Sequence, residues 1–154
     1  MNILVTGGAG YLGSVLIPKL LVRGHKVRVL DIGYFGVEHL RAMRPPVEIL
    51  RQDLRAVLAD PEALENILKD IQVVIHLAAI SNDPSAELNP RLTEEVNFES
   101  TRDLAIACKK RGIRAVFSSS CSVYGESPEE VDEDGHTKPL TTYAKSKVDS
   151  DNFI

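Results

Sequence analysis

The sequence predicts an α/β fold built on a doubly wound parallel sheet, and three observations predict it. Short runs rich in Val, Ile and Leu alternate with longer amphipathic segments, the order that parallel strands and crossover helices require. The runs are apolar almost throughout, as strands covered on both faces are. The first of them passes into Thr6-Gly7-Gly8-Ala9-Gly10-Tyr11-Leu12-Gly13, a glycine-rich turn that opens a helix.

Strands are expected at Asn2–Thr6 and at residues 26–30, 47–51, 73–77 and 114–119. The first helix, 11–23, carries Leu12, Val15, Leu16 and Leu20 on one stripe and stops at Gly24, a good helix-ending residue. Another helix, 61–69, has Asp60 as its cap and Pro61 at the first helical position. A long helix over 90–111 ends at Gly112. A last helix opens near Thr141, and its pattern is still running at Ile154. The expectation is therefore one domain, 1–154, cut inside that helix. Residues 126–138 are polar and acidic (Glu129, Glu130, Asp132, Glu133, Asp134) and form an exposed loop.

Bulk properties narrow the function. The 154 residues are about one domain's length, 44% hydrophobic and 26% charged, with no tryptophan. A net charge of −4 gives no broad positive field for nucleic acid or a membrane surface, so a phosphate-bearing ligand has to be held by local geometry. Met1 is followed at once by an apolar strand with no basic leader, and no stretch is long enough to span a bilayer. Cys108 and Cys121 make neither a CxxC nor a metal-ligand pattern. A reduced, cytoplasmic protein without a metal is expected.

The glycine turn carries the first functional signal. Gly7 permits a turn too tight for a side chain, Gly10 lets the backbone approach a pyrophosphate, and Gly13 lets the helix pack on the sheet. The helix N-terminus at Tyr11 and Leu12 then offers free N–H groups to phosphates. Asp31 follows at the end of the second strand, where it would accept the adenosine ribose hydroxyls and repel a 2′-phosphate. Ile32 and Gly33 supply no arginine to neutralise one. Together these features predict a Rossmann-type site for NAD rather than NADP. Asp53, before Leu54, has two readings: acceptor for the adenine amino group, or helix cap. His76 reads as a packed strand histidine, and Leu77, Ala78 and Ala79 would let the backbone pass close under the cofactor.

Tyr143 and Lys147 stand four residues apart on one face of the last helix. An ammonium beside a phenol stabilises its phenolate, which makes Tyr143 usable as a general base or acid, and Lys147 could also bond the nicotinamide ribose. Serines 118, 119, 120 and 122 crowd the end of the fifth strand, where a hydroxyl can bond the oxygen that Tyr143 protonates or deprotonates. Which serine does so is left open by the pattern alone.

These residues resemble the extended short-chain dehydrogenase/reductase family, in particular its NAD-dependent sugar-nucleotide epimerases and dehydratases. The resemblance covers the whole chain through TGGAGYLG at 6–13, LD at 30–31, DLR at 53–55, HLAA at 76–79, Asn97, SSSCSVYG at 118–125 and YAKSK at 143–147. It implies Ser120, Tyr143 and Lys147 as the catalytic set. It implies NAD held by Gly7, Gly10, Tyr11, Leu12, Gly13, Asp31, Asp53, Leu54, Leu77, Ala78, Ala79, Asn97, Tyr143 and Lys147, with Asn97 supporting the lysine and the active-site backbone. Ser120, Cys121 and Ser122 would meet a nucleotide-sugar substrate, and the complete protein would be a homodimer.

Two departures from the family qualify this. The dehydratases carry an Asp-Glu pair directly after the catalytic Thr or Ser, whereas this chain has Cys121-Ser122; epimerisation is therefore expected over dehydration. Family members also run to about twice this length, and the further part grips the sugar nucleotide, so this chain alone is expected to be nearly inactive. Substrate choice is assigned largely to that part and to residues 80–89. The alternatives are a dehydratase or ketone/alcohol oxidoreductase of the same family, and, from another class, a non-catalytic NAD-binding sensor module.

Overall fold

Register in the parallel sheet brings the chemistry-bearing strand ends level. In the computed structural model, which describes residues 1–128 and 130–154, β1 (Asn2–Thr6) lies between β2 (Lys26–Asp31) and β4 (Val73–His76). Outside them stand β3 (Glu48–Arg51) and β5 (Arg114–Phe117), giving the order β3-β2-β1-β4-β5 with every pair parallel. Thr6 is level with Leu30 and His76, and Asp31 with Arg51. The order reverses between β1 and β4, the switch point outside which such sheets bind ligands.

The chain falls into two compact units, Met1–Ala78 with Asp103–Ser118, and Ala79–Arg102 with Ser119–Ile154. The first contains the whole sheet. β1 alternates between two apolar clusters: Ile3 and Val5 join Ile17, Leu21 and Val29, while Leu4 joins Leu30, Val74, Ile67 and Leu104. Both faces of the central strands are thus covered. β5 departs from that expectation, because Arg114, Ala115 and Val116 are exposed; among the described residues it has a strand neighbour on one side only.

α1 (Tyr11–Val22) corrects the sequence reading of its buried stripe. Gly13, Ile17 and Leu21 face inward, whereas Leu12 is 56% and Val15 48% exposed. Gly13 sets this rotation: a Cβ there would stand 2.2 Å from the Gly8 carbonyl oxygen, so the helix comes closest to the turn at its one residue without a side chain. Positions one and two turns later then follow it inward.

Local capping signals fix the next helices. A short α2 (Glu38–Arg41) precedes β3. Asp53 caps α3 (Leu54–Ala59), and Asp60 caps α4 (Pro61–Leu68) by accepting the Glu62 and Ala63 N–H groups, with Pro61 in the first turn as expected. Arg28 gathers the carbonyls of Asn66, Ile67 and Lys69 at the far end of α4 and pairs with Glu48 at 2.8 Å.

The second unit contains α5 (Asp83–Leu88), α6 (Pro90–Glu94) and α8 (Thr142–Phe153); α7 (Ser100–Arg111) begins in it. The predicted helix over 90–111 is therefore not uniform: a π-helical turn, Glu95–Glu99, joins α6 to α7. The last helix opens near Thr141 as expected, and Thr141 caps it by accepting the Ala144 N–H. Glu130, Asp132, Glu133 and Asp134 are exposed, while Glu129 lies outside the described residues. Among the described residues no helix is long and apolar enough to cross a membrane.

Candidate active site

In the first unit, the glycine turn is shaped by what surrounds it. Gly7 has φ +69°, and a Cβ there would lie 2.5 Å from the Ala78 nitrogen, so the turn runs hard against the chain leaving β4. Leu77 and Ala78 are half-buried there. Gly10 precedes α1 and has no side chain to cap it, and the first turn holds no acidic residue. The N–H groups of Tyr11 and Leu12 have no carbonyl one turn back, so the positive end of α1 is left for an anion. Tyr11 itself is 85% exposed. A cavity of about 480 Å³ opens here, lined by Ala9, Gly10, Tyr11, Ser14, Phe35 and His39; Phe35 and His39 carried no signal in the sequence that placed them beside the turn.

Asp31 ties two backbone segments together. Its Oδ2 accepts the Ala9 N–H at 2.9 Å and its Oδ1 accepts the Gly33 N–H at 2.7 Å. A carboxylate oxygen can take a second donor, so both remain able to receive hydroxyls. The strand-end role and the ribose role are thus compatible.

Of the two readings of Asp53, the structure displays the cap. Oδ1 accepts the Arg55 N–H at 2.9 Å, and the Arg55 guanidinium reaches Oδ2 at 2.7 Å. That guanidinium holds the Asp53 carboxyl below the usual carboxylate range. Leu54 is buried behind it. His76 is a packed strand histidine as expected: it is buried, its Nδ1 meets the Thr6 hydroxyl at 2.5 Å, and its ring lies 6.1 Å from that of Phe117.

The second unit assembles the proton-transfer candidates. α8 buries Ala144, Ser146, Lys147 and Ser150, a polar face that hydrogen bonds rather than apolar packing must hold. Lys147 is only 5% exposed, and its Nζ lies 5.8 Å from the centre of the half-buried Tyr143 ring. Burial pushes the Lys147 ammonium down to about 8, opposed by the nearby Asp151 carboxylate. The lysine therefore still carries its proton at neutral pH.

Asn97 sits in the π-helical turn and is 1% exposed. Its Oδ1 accepts the Ile80 N–H at 2.8 Å, and its Nδ2 donates to the Ile80 carbonyl and to Ser146 Oγ, both at 3.1 Å. Both N–H donors are spent on the segment after Ala79 and on α8, so Asn97 ties these two pieces of backbone and helix together. π turns gather at functional sites because the extra residue re-aims a side chain.

The serines separate clearly. Ser119 Oγ donates to Asp151 Oδ2 at 2.5 Å. Ser120 caps a 3₁₀ turn, Cys121–Tyr124, and its Oγ lies 2.8 Å from Ser122 Oγ. Cys121 is exposed at the head of that turn. The segment 80–89, expected to share in substrate choice, contains a helix the sequence analysis does not predict, α5, and its carboxylates reach the first turn of α8: Asp83 accepts the Thr141 hydroxyl and Glu87 the Thr142 N–H. The missed signal was Asn82, an N-cap directly before Asp83-Pro84.

With this geometry in place, the comparisons with known proteins agree with one another. Residues 3–154 match the model of the NAD dependent epimerase/dehydratase family. A putative UDP-glucose 4-epimerase of Methanocaldococcus jannaschii is 35% identical over 99% of this chain and 49% of its own. A UDP-glucuronic acid decarboxylase 1 of Danio rerio is 31% identical over 90% of this chain and 32% of its own. The crystal structure of the Thermus thermophilus UDP-glucose 4-epimerase in complex with NAD superposes with a TM-score of 0.86 at 34% identity, over 99% of this chain and 49% of that one. The chain thus spans about half the length of the epimerases it matches. On the family match and these likenesses, the chain belongs to the NAD-dependent epimerase/dehydratase family, within the extended short-chain dehydrogenases/reductases.

Proposed function

We propose that the chain provides the cofactor seat and the proton-transfer residues of an NAD-dependent nucleotide-sugar epimerase. The observation that carries this reading is Lys147, an ammonium buried to 5% exposure beside Tyr143 on a helix whose buried face is otherwise small and polar. Burying a charge is costly, and an interior lysine that sits against a phenol has a chemical use.

The glycine turn fits a dinucleotide: a tight backbone, an uncapped helix end and a carboxylate with spare acceptor capacity converge in one unit. There the Tyr11 and Leu12 N–H groups would hold the pyrophosphate and Asp31 the adenosine ribose. Asp53, Leu54, Leu77, Ala78 and Ala79 would line the rest. NAD, when bound, supplies the acceptor and later the donor of the sugar carbon's hydride. Tyr143, as the phenolate, would take the proton from the sugar hydroxyl at Oη and later return it to the same sugar oxygen. The Lys147 ammonium would stabilise the phenolate that exists before the first transfer and is restored by the second. Ser120 bonds the reacting oxygen, with Cys121 and Ser122 beside the sugar.

The decarboxylase relative supports one runner-up, in which the same oxidation is followed by loss of carbon dioxide. Dehydration has less support, since Cys121 and Ser122 supply no carboxylate for elimination. The substrate-gripping part assigned above to longer family members is not in this half-length match, so this chain alone is proposed to turn over little substrate; the complete enzyme is proposed to be a cytoplasmic homodimer. Incubating the complete enzyme with UDP-sugars tests the reading. An epimerase gives a product of unchanged mass and leaves nicotinamide absorbance unchanged. A decarboxylase product is lighter by one carbon dioxide, and an oxidoreductase changes the absorbance. If Tyr143→Phe left the biological role intact, a non-catalytic sensor would be the better account.

A further inference from the structure

The sequence places no arginine directly after Asp31, but the sheet supplies one. Arg51 ends β3 in register with Asp31 at the end of β2. Its side chain lies over the turn that Asp31 holds: Nε donates to the Ile32 carbonyl at 3.3 Å and an Nη to the Gly33 carbonyl at 3.5 Å. Gly33, at φ +77°, makes the room, since a Cβ there would stand 2.7 Å from Arg51 Nε. The guanidinium is exposed and forms no ion pair among the described residues, although the Glu38 carboxylate lies within its field. A cation is therefore parked on the backbone next to the carboxylate that reads the ribose.

We propose that Arg51 is a second determinant of cofactor choice, favouring a 2′-phosphate, so that the preference for NAD rests on Asp31 alone. This rests on the glycine turn being the dinucleotide seat. In that seat Asp31 accepts ribose hydroxyls and repels a 2′-phosphate, while an arginine nearby receives one by charge-assisted, forked hydrogen bonds. The two residues therefore pull in opposite directions. Arg51 offsets part of the repulsion from Asp31 and leaves the wild-type discrimination shallow. Its present partners are carbonyls rather than carboxylates, which a phosphate would outbid.

The test is a pair of titrations, NAD and NADP, followed by calorimetry on this chain and repeated in 0.5 M salt. Arg51→Ala is expected to weaken NADP about tenfold at low salt while leaving NAD within about twofold. Arg51→Lys should recover part of the loss, and high salt should erase the difference, because the guanidinium is exposed. Asp31→Ser should turn the preference toward NADP, and adding Arg51→Ala should undo that turn. Unchanged NADP binding in Arg51→Ala overturns the proposal, as does an equal loss of both dinucleotides, which would mean that Arg51 only holds the 32–33 turn. If the wild-type chain binds neither dinucleotide, the seat itself is misread, a failure visible in the NAD titration alone.

Discussion

The Thr141 hydroxyl donates to Asp83 Oδ1 at 2.5 Å while its oxygen accepts the Ala144 N–H at 3.1 Å. One side chain thus caps α8 and fastens it to α5. Glu87 adds a second tie by accepting the Thr142 N–H at 2.8 Å. Negative charge at this end also suits the helix dipole. Thr141→Ala is expected to cost about 1 kcal/mol in a thermal or denaturant melt. Glu87→Gln should leave the melt nearly unchanged but speed amide exchange at Thr142. In an active enzyme Asp83→Ala should lower kcat with little change in KM, since Tyr143 stands in the first turn that these ties fix, and Asp83→Asn should recover much of it.

Lys147 sets a pH dependence with a definite sign. Its folded pKa, about 8, lies below the ordinary lysine value because burial disfavours the charged form. Between about pH 8 and about pH 10.4 the unfolded chain binds the extra proton, so stability rises with pH across that window. Below about pH 8 the penalty is present in full, nominally about 3 kcal/mol. Lys147→Met should therefore melt above the wild type at pH 7 and lose that advantage by pH 10. Parallel melts of the two proteins at both pH values check it. An equal advantage at both would show that packing, not charge, is responsible.

Two glycines at opposite ends of α1 should respond differently to alanine. At Gly13 the new methyl would meet Gly8 backbone at 2.2 Å, which cannot give way like a side chain; a loss of about 3 kcal/mol is expected. At Gly24, with φ +77°, nothing lies within 4 Å, so only the conformational cost of about 1 kcal/mol remains. Chemical denaturation of the two variants makes the comparison.

The thiols should divide in the same way. Burial pushes Cys108 up to about 11, whereas Cys121 is exposed. A disulfide reagent at pH 7.5 should titrate one thiol in the folded chain and two in denaturant. Rapid reaction of both in the folded chain would mean that the α7 region opens.

Where sequence reading succeeded, the information was local. Asp60 before Pro61, Thr141 three residues before Ala144, and glycines ending helices are caps whose partners lie within one turn. The Tyr143 and Lys147 pairing likewise needs only helical spacing. The α1 stripe was misjudged because the apolar pattern is broad, and a close approach at Gly13, not the leucines, chooses which part of it turns inward. Arg51 was missed because strand register, a contact across 20 residues, decides what stands beside Asp31. β5 was expected to be covered because apolar content does not say which strand lies at an edge.

The π-helical turn has a consequence for how this segment tolerates change. Such a turn is what one additional residue leaves in an α-helix, and here Ser100 and Thr101 hydroxyls hold its Glu95 and Asn97 carbonyls. Removing one residue from Glu95–Glu99 would restore regular winding with the two flanks still nearly in phase, and would abolish the local widening that aims Asn97. Asn97, or the residue replacing it, would then no longer meet Ile80 and Ser146 together. The helix can therefore vary in spelling on its exposed side, but its length is fixed to the residue.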